Sequence, residues 1–433
     1  LRITASYKVS DTTAFKRKLL EWAQSFDEVV WFDSNGHRDR YYSFDTLLAV
    51  DALTSFQTDF INGFDNLKEY QSATKDWIFG YLTYDLKNDI ERLSSGHTDR
   101  LKFPEIHFFQ PKKVIRVKDK EVLFDYLNIV ADEIQTDYEM FLSKHSYKTD
   151  IQLNNQSVKI KMGIFKDEYF RQVKKMLVHI HRGDIYEANF CQEFYAENTR
   201  IDALKTYQRL NSVSKAPFAT FLKLHDKYLI SASPERYLKK RGTKIISQPI
   251  KGTARRSDDI KTDRKLKLDL QESSKERAEN IMIVDLVRND LSKSARRGTV
   301  EVEELCGVYS FAQVHQMIST VVARVEPEKN IIEILKETFP MGSMTGAPKV
   351  SAMKIIERLE AFKRGLYSGS VGYIDPKGDF DFNVVIRSIL YNDTEKYVSF
   401  PVGSAITALS NPESEYEECL LKARAMRDVL ENG

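Results

Sequence analysis

Cysteine is scarce in this chain. The three among 433 residues, Cys191, Cys306 and Cys419, stand far apart and in no metal-ligand spacing. An odd, scattered set excludes a disulfide-stapled scaffold and a cysteine-based zinc site, and it fits a reducing, cytoplasmic compartment. An excess of one charge is missing too, since 65 basic and 63 acidic residues leave a net +2. Nucleic-acid and membrane-surface proteins usually concentrate basic residues on one face, so neither kind of partner is expected. Local runs such as Lys112-Lys113 and Lys239-Lys240-Arg241 read as solvated faces. No apolar run approaches the ~18 residues of a membrane span. The start, Leu1 to Ser6, has no signal-peptide pattern. Internal repeats and low-complexity tracts are not evident.

What is present is enough apolar material for a large core, 42% of residues, under a surface supplied by 30% charged residues. The length allows two or three domains or one continuous body. The first ~155 residues alternate short aromatic strands with turns, as in Glu28-Val29-Val30-Trp31-Phe32, Trp77 to Leu82 and Ile106 to Phe109. A polar stretch from Lys144 to Ser157 reads as a linker or exposed crossover, dividing an N-terminal region, 1–155, from a second region, 156–433. Tyr169, Val173, Met176, Leu177 and Ile180 then recur at helical spacing, and Gly183 marks the stop. Strands are predicted over Ala188 to Tyr195, Phe218 to Leu224 and Lys227 to Ser233. Helices are predicted from Ser274 to about Val287, from Gly346-Ala347-Pro348 with Pro in the first turn, and from Asn411-Pro412-Glu413 to about Leu430. Many strands with scattered helices predict an α+β body and not a regular βαβ array.

Two of these helices carry carboxylates in register. Glu276 and Glu279 lie three residues apart and share a face. Glu415, Glu418 and Lys422 border an apolar stripe of Tyr416, Cys419, Leu420, Ala423 and Met426. Mg²⁺ takes one or two carboxylates and leaves other positions to water or an anionic substrate, so two such helices could hold one. Glu in a first helical turn is also favoured by the helix dipole alone, and Glu418 to Lys422 is an ordinary i,i+4 ion pair. The spacing does not decide between these readings.

The loop Phe339 to Lys349 lacks the Walker pattern but joins Thr345, backbone N–H groups and a helix N-terminus, which makes either an anion site or a simple cap. Glu235 after Ser233-Pro234 reads as a solvated turn residue, and His315 among apolar neighbours as a satisfied core histidine. Arg387, in Val385-Ile386-Arg387-Ser388, reads as a charge inside an apolar strand that requires an anionic partner.

Five blocks in order, Pro249 to Arg256, Ser274 to Leu286, His315 to Ser319, Phe339 to Lys349 and Glu413 to Lys422, resemble the chorismate-binding enzyme family. The first half is similar more weakly, through Phe32-Asp33-Ser34 and Gly80 to Leu86. The family contains anthranilate, aminodeoxychorismate, isochorismate and salicylate synthases. The resemblance implies a two-part body of antiparallel β-sheets forming a sandwich flanked by helices, with chorismate as substrate and Mg²⁺ as cofactor. It also implies Glu279 and Glu418 as metal ligands, with Glu276 and Glu415 supporting them through water. Arg387 and Tyr367 would hold the enolpyruvyl carboxylate. Thr253, Thr345 and Lys422 would surround the ring substituents and metal-bound carboxylate, Gly403 would bring backbone to the substrate, and His315 would match an active-site histidine.

Lys251 in Pro249-Ile250-Lys251-Gly252-Thr253 resembles the aminodeoxychorismate branch; the anthranilate branch usually has Ala there. On that resemblance Lys251 is the nucleophile and Glu235 the general acid. The family's water-activating branches carry a Lys at the position of Glu187, so Glu187 disfavours them, although the aminating branch usually has Gln. A second departure is Phe400 to Ile406, where only Gly403 remains of a richer glycine run. No Gly-flanked cysteine elbow of a glutaminase is present, so a separate glutamine amidotransferase subunit is expected to supply ammonia. Rival readings are an anthranilate synthase, an isochorismate synthase and a catalytically silent family member.

Overall fold

The computed structural model describes residues 1–143, 158–312 and 314–432. The stretch expected to be a linker, Lys144 to Ser157, lies outside the described residues.

Strands with alternating apolar side chains need a core on each face. Along Glu28–Asp33, Val29 and Trp31 enter one core cluster while Val30 and Phe32 enter another. Its neighbour Thr46–Thr58 repeats the division, with Leu48 and Val50 on one side and Leu47 and Ala49 on the other. Among the described residues nineteen antiparallel strands form one connected sheet. Early and late segments interleave in it: Glu28–Asp33 pairs with Phe218–Leu224, and Ile78–Leu82 pairs with Ser370–Ile374. The fold is the α+β, helix-flanked antiparallel architecture that the sequence predicts.

Helices cover both faces. Lys166–Arg182 buries Tyr169, Val173, Met176 and Ile180, and ends at Gly183 with φ +85°, a left-handed cap that glycine adopts without a Cβ clash. Pro412–Glu431 starts at Asn411, whose side chain accepts from the Glu413 and Ser414 N–H groups. Both pack on the first core. Ser274–Ser294 packs on the second.

Three sequence readings shift. The helix from Ser274 runs past Val287 to Ser294, because Leu291 and Ser294 continue the buried face. The run Ala188 to Tyr195 is two strands, Glu187–Gln192 and Phe194–Ala196, in different sheets; the chain changes sheets at Glu193, whose carboxylate accepts from Tyr397 and Ser399. Pro348 is the cap before the helix Lys349–Leu359, not part of its first turn.

A second, three-stranded sheet positions the site. Glu187–Gln192 is its centre, flanked by Val402–Thr407 and the two-residue strand Gly346–Ala347.

Candidate active site

Lys251 lies where the strand Ile250–Arg255 slips register against Val314–Arg324, between Ile250 and Thr253. Gly252 sits in the slip at φ +98°, and a Cβ there would meet Glu276 Oε2 at 3.1 Å. Such an irregularity re-aims side chains and leaves the ladder intact on either side. Asn280 fixes the arrangement by donating to the carbonyls of Lys251 (3.1 Å) and Met317 (3.3 Å), while its own oxygen accepts from Ser319. The strand carrying Lys251 is thereby tied to the helix carrying Glu276 and Glu279.

Lys251 Nζ donates to Glu187 Oε1 at 2.8 Å, and Glu187 is 1% exposed. Burial alone would lower the lysine's pKa, but the Glu187 carboxylate outweighs it, with Glu279 and Glu418 adding, so the value is raised. In this state Lys251 is an ammonium.

Carboxylates from two helices bear on it: Glu276, Glu279 and Glu418 interact with its charge, and Glu415 with that of Glu276. Burial raises Glu276, and the charges of Glu418 and Glu415 push the same way against Lys275 and Lys251. Burial likewise raises Glu279 to about 7, with Glu276 and Glu187 adding to the shift. Glu418 is the exception: its side chain is 48% exposed, and although partial desolvation would raise it, Lys422, 2.5 Å away, brings it below the ordinary range. Glu415 is buried and accepts from Ser410 Oγ at 2.8 Å. Among the described residues no three His, Cys, Asp or Glu side chains close into a preformed cage. Mutually repelling carboxylates fit a Mg²⁺ ion that takes one or two protein oxygens and fills its remaining positions with water and an anion.

Glu235 is not solvated as its turn composition predicts. It is 4% exposed, accepts from Ser343 Oγ at 2.6 Å, and burial pushes its pKa up to about 7 against that hydrogen bond and the Lys251 charge. Ser343 carries no signal in the sequence, because nothing in Gly342-Ser343-Met344 distinguishes a site hydroxyl from a loop one.

Arg387 is not within a strand. It occupies a kink at φ +52° between Phe380–Val384 and Ser388–Asn392. Burial lowers its pKa, against the charge of Glu418 and the nearby Tyr367, and among the described residues its guanidinium has no ion-pair partner. Tyr367 is 2% exposed. Arg387, Lys422 and Gln316 line a cavity of about 60 Å³. A half-buried guanidinium without an ion-pair partner, at a cavity, is a ready partner for a carboxylate.

His315 does not line that cavity. Its ring lies between Ser310 Oγ (2.9 Å) and Asp263 Oδ1 (3.1 Å), the satisfied state that its apolar neighbours predict. Alternation along the strand turns the next residue, Gln316, to the cavity instead, and Gln316 Oε1 is buried without a partner. Thr253 pairs opposite Gln316 and is exposed, so its hydroxyl is available. Thr345 is fully buried, with its hydroxyl committed to the carbonyls of Met341 and Gly342. Lys422 also donates to the Gly403 carbonyl at 2.9 Å. The stripe beside it is buried at Tyr416, Cys419, Ala423 and Met426, but Leu420 is 36% exposed.

Two glycines set the close approaches. At Gly403 a Cβ would meet Cys191 Sγ at 2.5 Å and Asn189 Oδ1 at 2.7 Å. At Gly346, φ +150°, it would meet the Glu187 carbonyl at 2.2 Å. Gly346→Ala is therefore expected to displace the strand bearing Glu187, at a cost of roughly 1–3 kcal/mol. Thermal denaturation checks this; an unchanged midpoint would show that the seat is loose.

A larger cavity, about 440 Å³, borders Pro234, Arg236, Gln248 and Ile250 and extends to Ser34 and Phe218; the four carboxylates, Glu187 and Lys251 do not line it.

The model of the chorismate binding enzymes matches residues 27–428. Aminodeoxychorismate synthase component 1 of Salmonella typhimurium is 42% identical over 265 residues, 61% of this chain and 57% of that protein. Anthranilate synthase component 1 of Saccharolobus solfataricus is 33% identical over 364 residues, 84% of this chain and 83% of that protein. The crystal structure of anthranilate synthase component I from Streptococcus pneumoniae shares the fold, with a TM-score of 0.78 at 23% identity over 90% of this chain and 94% of that one. Matched by that family model over nearly its whole length, the chain belongs to the family of chorismate binding enzymes.

Proposed function

We propose that this chain is the aminating component of an aminodeoxychorismate synthase, converting chorismate and ammonia to 4-amino-4-deoxychorismate. The observation that carries the reading is Lys251, partly buried at a strand irregularity, in contact with Glu187 and within reach of the charges of Glu235, Glu279 and Glu418. The 42% identity to the Salmonella aminodeoxychorismate synthase component supports the choice of branch. The longer match to an anthranilate synthase keeps that activity as the rival.

In this mechanism Arg387, beside Tyr367, pairs with the enolpyruvyl carboxylate and fixes the ring. Mg²⁺, held by Glu279 and Glu418 with Glu276 and Glu415 behind them, would neutralise the ring carboxylate. Lys251, once neutral, attacks C2; the ring double bonds shift; the C4–O bond breaks and Glu235 protonates the departing hydroxyl as water. Ammonia then attacks C4, the double bonds return, and the lysine leaves C2. We assign the ammonia to a glutamine amidotransferase subunit. The three buried, free cysteines are consistent with a reducing, cytoplasmic setting, and no helix of the described residues is long and apolar enough to cross a membrane.

Incubation with chorismate, Mg²⁺ and ammonium, with and without an aminodeoxychorismate lyase, tests the reading. The expected result is 4-aminobenzoate only when the lyase is present; fluorescent anthranilate without it would overturn the assignment. The metal assignment makes its own prediction. Glu415→Gln is expected to raise the half-saturating Mg²⁺ concentration roughly 10- to 100-fold, as loss of a supporting carboxylate does. Titration of the rate with Mg²⁺ after chelation checks it, and an unchanged requirement counts against these helices as the metal site.

A further inference from the structure

We propose that the cavity of about 60 Å³ beside Arg387 is the ammonia site, and that Gln316 holds ammonia there through its amide oxygen. The inference rests on the amination reading, in which neutral ammonia attacks C4.

Size and charge both select a small neutral molecule. The cavity has room for about four water-sized molecules. That accommodates the tip of a carboxylate at Arg387 and one ammonia, but not the ring of chorismate. Its walls are mostly apolar, formed by Leu210, Ala216, Ala232, Val314 and Met426 among others. The charged side chains that line it, Arg387 and Lys422, are both cations. Glu418, the nearby carboxylate, is engaged by Lys422 and does not line the cavity. Ammonium would be repelled by the two cations and would lose its hydration to apolar walls. Neutral ammonia carries neither penalty, and it is the form with a lone pair.

Gln316 supplies the contact that such a molecule needs. It is 4% exposed, and among the described residues its Oε1 is buried without a hydrogen-bond partner. An acceptor left unpaired in that way costs free energy, which a ligand N–H at the cavity would offset. The direction of the hydrogen bond matters. Arg387 and Lys422 can only donate, so they would bind ammonia by the lone pair that has to attack. Gln316 Oε1 accepts, so it binds ammonia by an N–H and leaves the lone pair free. The amide does not titrate, so the acceptor is present at every working pH. Its place suits attack at C4. Gln316 pairs opposite Thr253, two residues from Lys251, and Pro234, next to Glu235, lines the same cavity. The acceptor therefore lies between the strand bearing the nucleophile and the turn bearing the acid for the C4 oxygen.

The step balances. Ammonia, held by one N–H, gives its lone pair to C4. The ring double bonds shift back, and the bond from C2 to the lysine nitrogen breaks. Its electron pair returns to Lys251, which leaves as a neutral amine. The positive charge moves from the lysine nitrogen to the new ammonium group on C4. That group still donates to Gln316 Oε1, so the contact strengthens as charge develops.

Gln316→Leu removes the acceptor and keeps most of the volume. It is expected to lower kcat/KM for ammonium roughly 10- to 100-fold, while the KM for chorismate stays within about a factor of two. Ammonium and chorismate saturation curves in the lyase-coupled assay read both. Thermal denaturation should show no loss of stability, because Oε1 has no protein partner to lose. Gln316→Met, unbranched and of like length, serves if the leucine variant does not fold. An unchanged kcat/KM for ammonium would overturn the proposal. So would a KM for chorismate that rises in step, which would put Gln316 on the ring substrate. Failure of the amination reading would look different: the unaltered chain would form no 4-amino product at any ammonium concentration.

Discussion

Lys251→Ala is expected to lower amination of chorismate roughly 10³-fold, since both the covalent route and the group that opens it are removed. The same change strands Glu187. Its charge, 2.8 Å from Lys251 Nζ, would then be buried without compensation. Breaking one side of a buried pair costs about 3–5 kcal/mol, so lost activity in the alanine variant alone could be a folding effect. Lys251→Arg separates the two. Arginine keeps the positive charge beside Glu187 but stays protonated at any working pH and cannot become a nucleophile. The arginine variant is expected to retain most of the thermal stability lost in Lys251→Ala and to be as inactive. Assay of 4-amino product with the lyase, beside thermal denaturation, reads both. Amination retained in either variant would remove the lysine from the chemistry.

The role of Lys251 rests on features the sequence shows unevenly. Local signals were legible: Gly183 closes its helix, Asn411 and Pro412 open theirs, and the strand pair Phe218–Leu224 and Lys227–Ser233 follows the apolar pattern residue for residue. Each is decided by neighbours within a few positions. The carboxylates are legible as helix faces but not as a site, because nothing in the i,i+3 spacing says that Glu276 and Glu418, on two helices far apart in the chain, feel each other's charge.

What was illegible depends on departures from regular structure. Arg387 looked like a strand residue until the kink at φ +52° turned it toward the cavity. Glu235 looked exposed because Ser-Pro-Glu is turn composition; burial comes from Ser343 and a loop more than 100 positions away. The choice between His315 and Gln316 is a choice of strand face, and a one-residue shift reverses it. Asn280, which ties the lysine strand to the acidic helix, is one polar residue in a helix already rich in them. In each case the decisive partner is distant in sequence.

Glu235→Gln is expected to act on rate and stability in opposite directions. As the group that protonates the C4 oxygen, Glu235 must carry a proton when substrate binds. Burial places its pKa at about 7, so the unaltered chain should lose activity above that pH, about tenfold per unit once a single proton is limiting. Removing the acid is expected to lower kcat roughly 10²- to 10³-fold and to abolish that decline. For stability, the unfolded carboxyl ionises near its ordinary 4.5 while the folded one stays protonated to about 7. Between those values the native state binds the extra proton, so stability falls as pH rises through this window and is level beyond it. At about 1.4 kcal/mol per unit the loss is on the order of 3 kcal/mol by pH 8. Glutamine never ionises and can still accept from Ser343, so the variant should be more stable than the unaltered chain at pH 8 and close to it at pH 4.5. Denaturant titrations at the two pH values measure the difference. An enzyme that carries a stability penalty at working pH for one carboxyl, and loses its reaction when that penalty is removed, is using the group; equal stability at both pH values would mean that Glu235 is not held protonated, and that another group supplies the proton to C4.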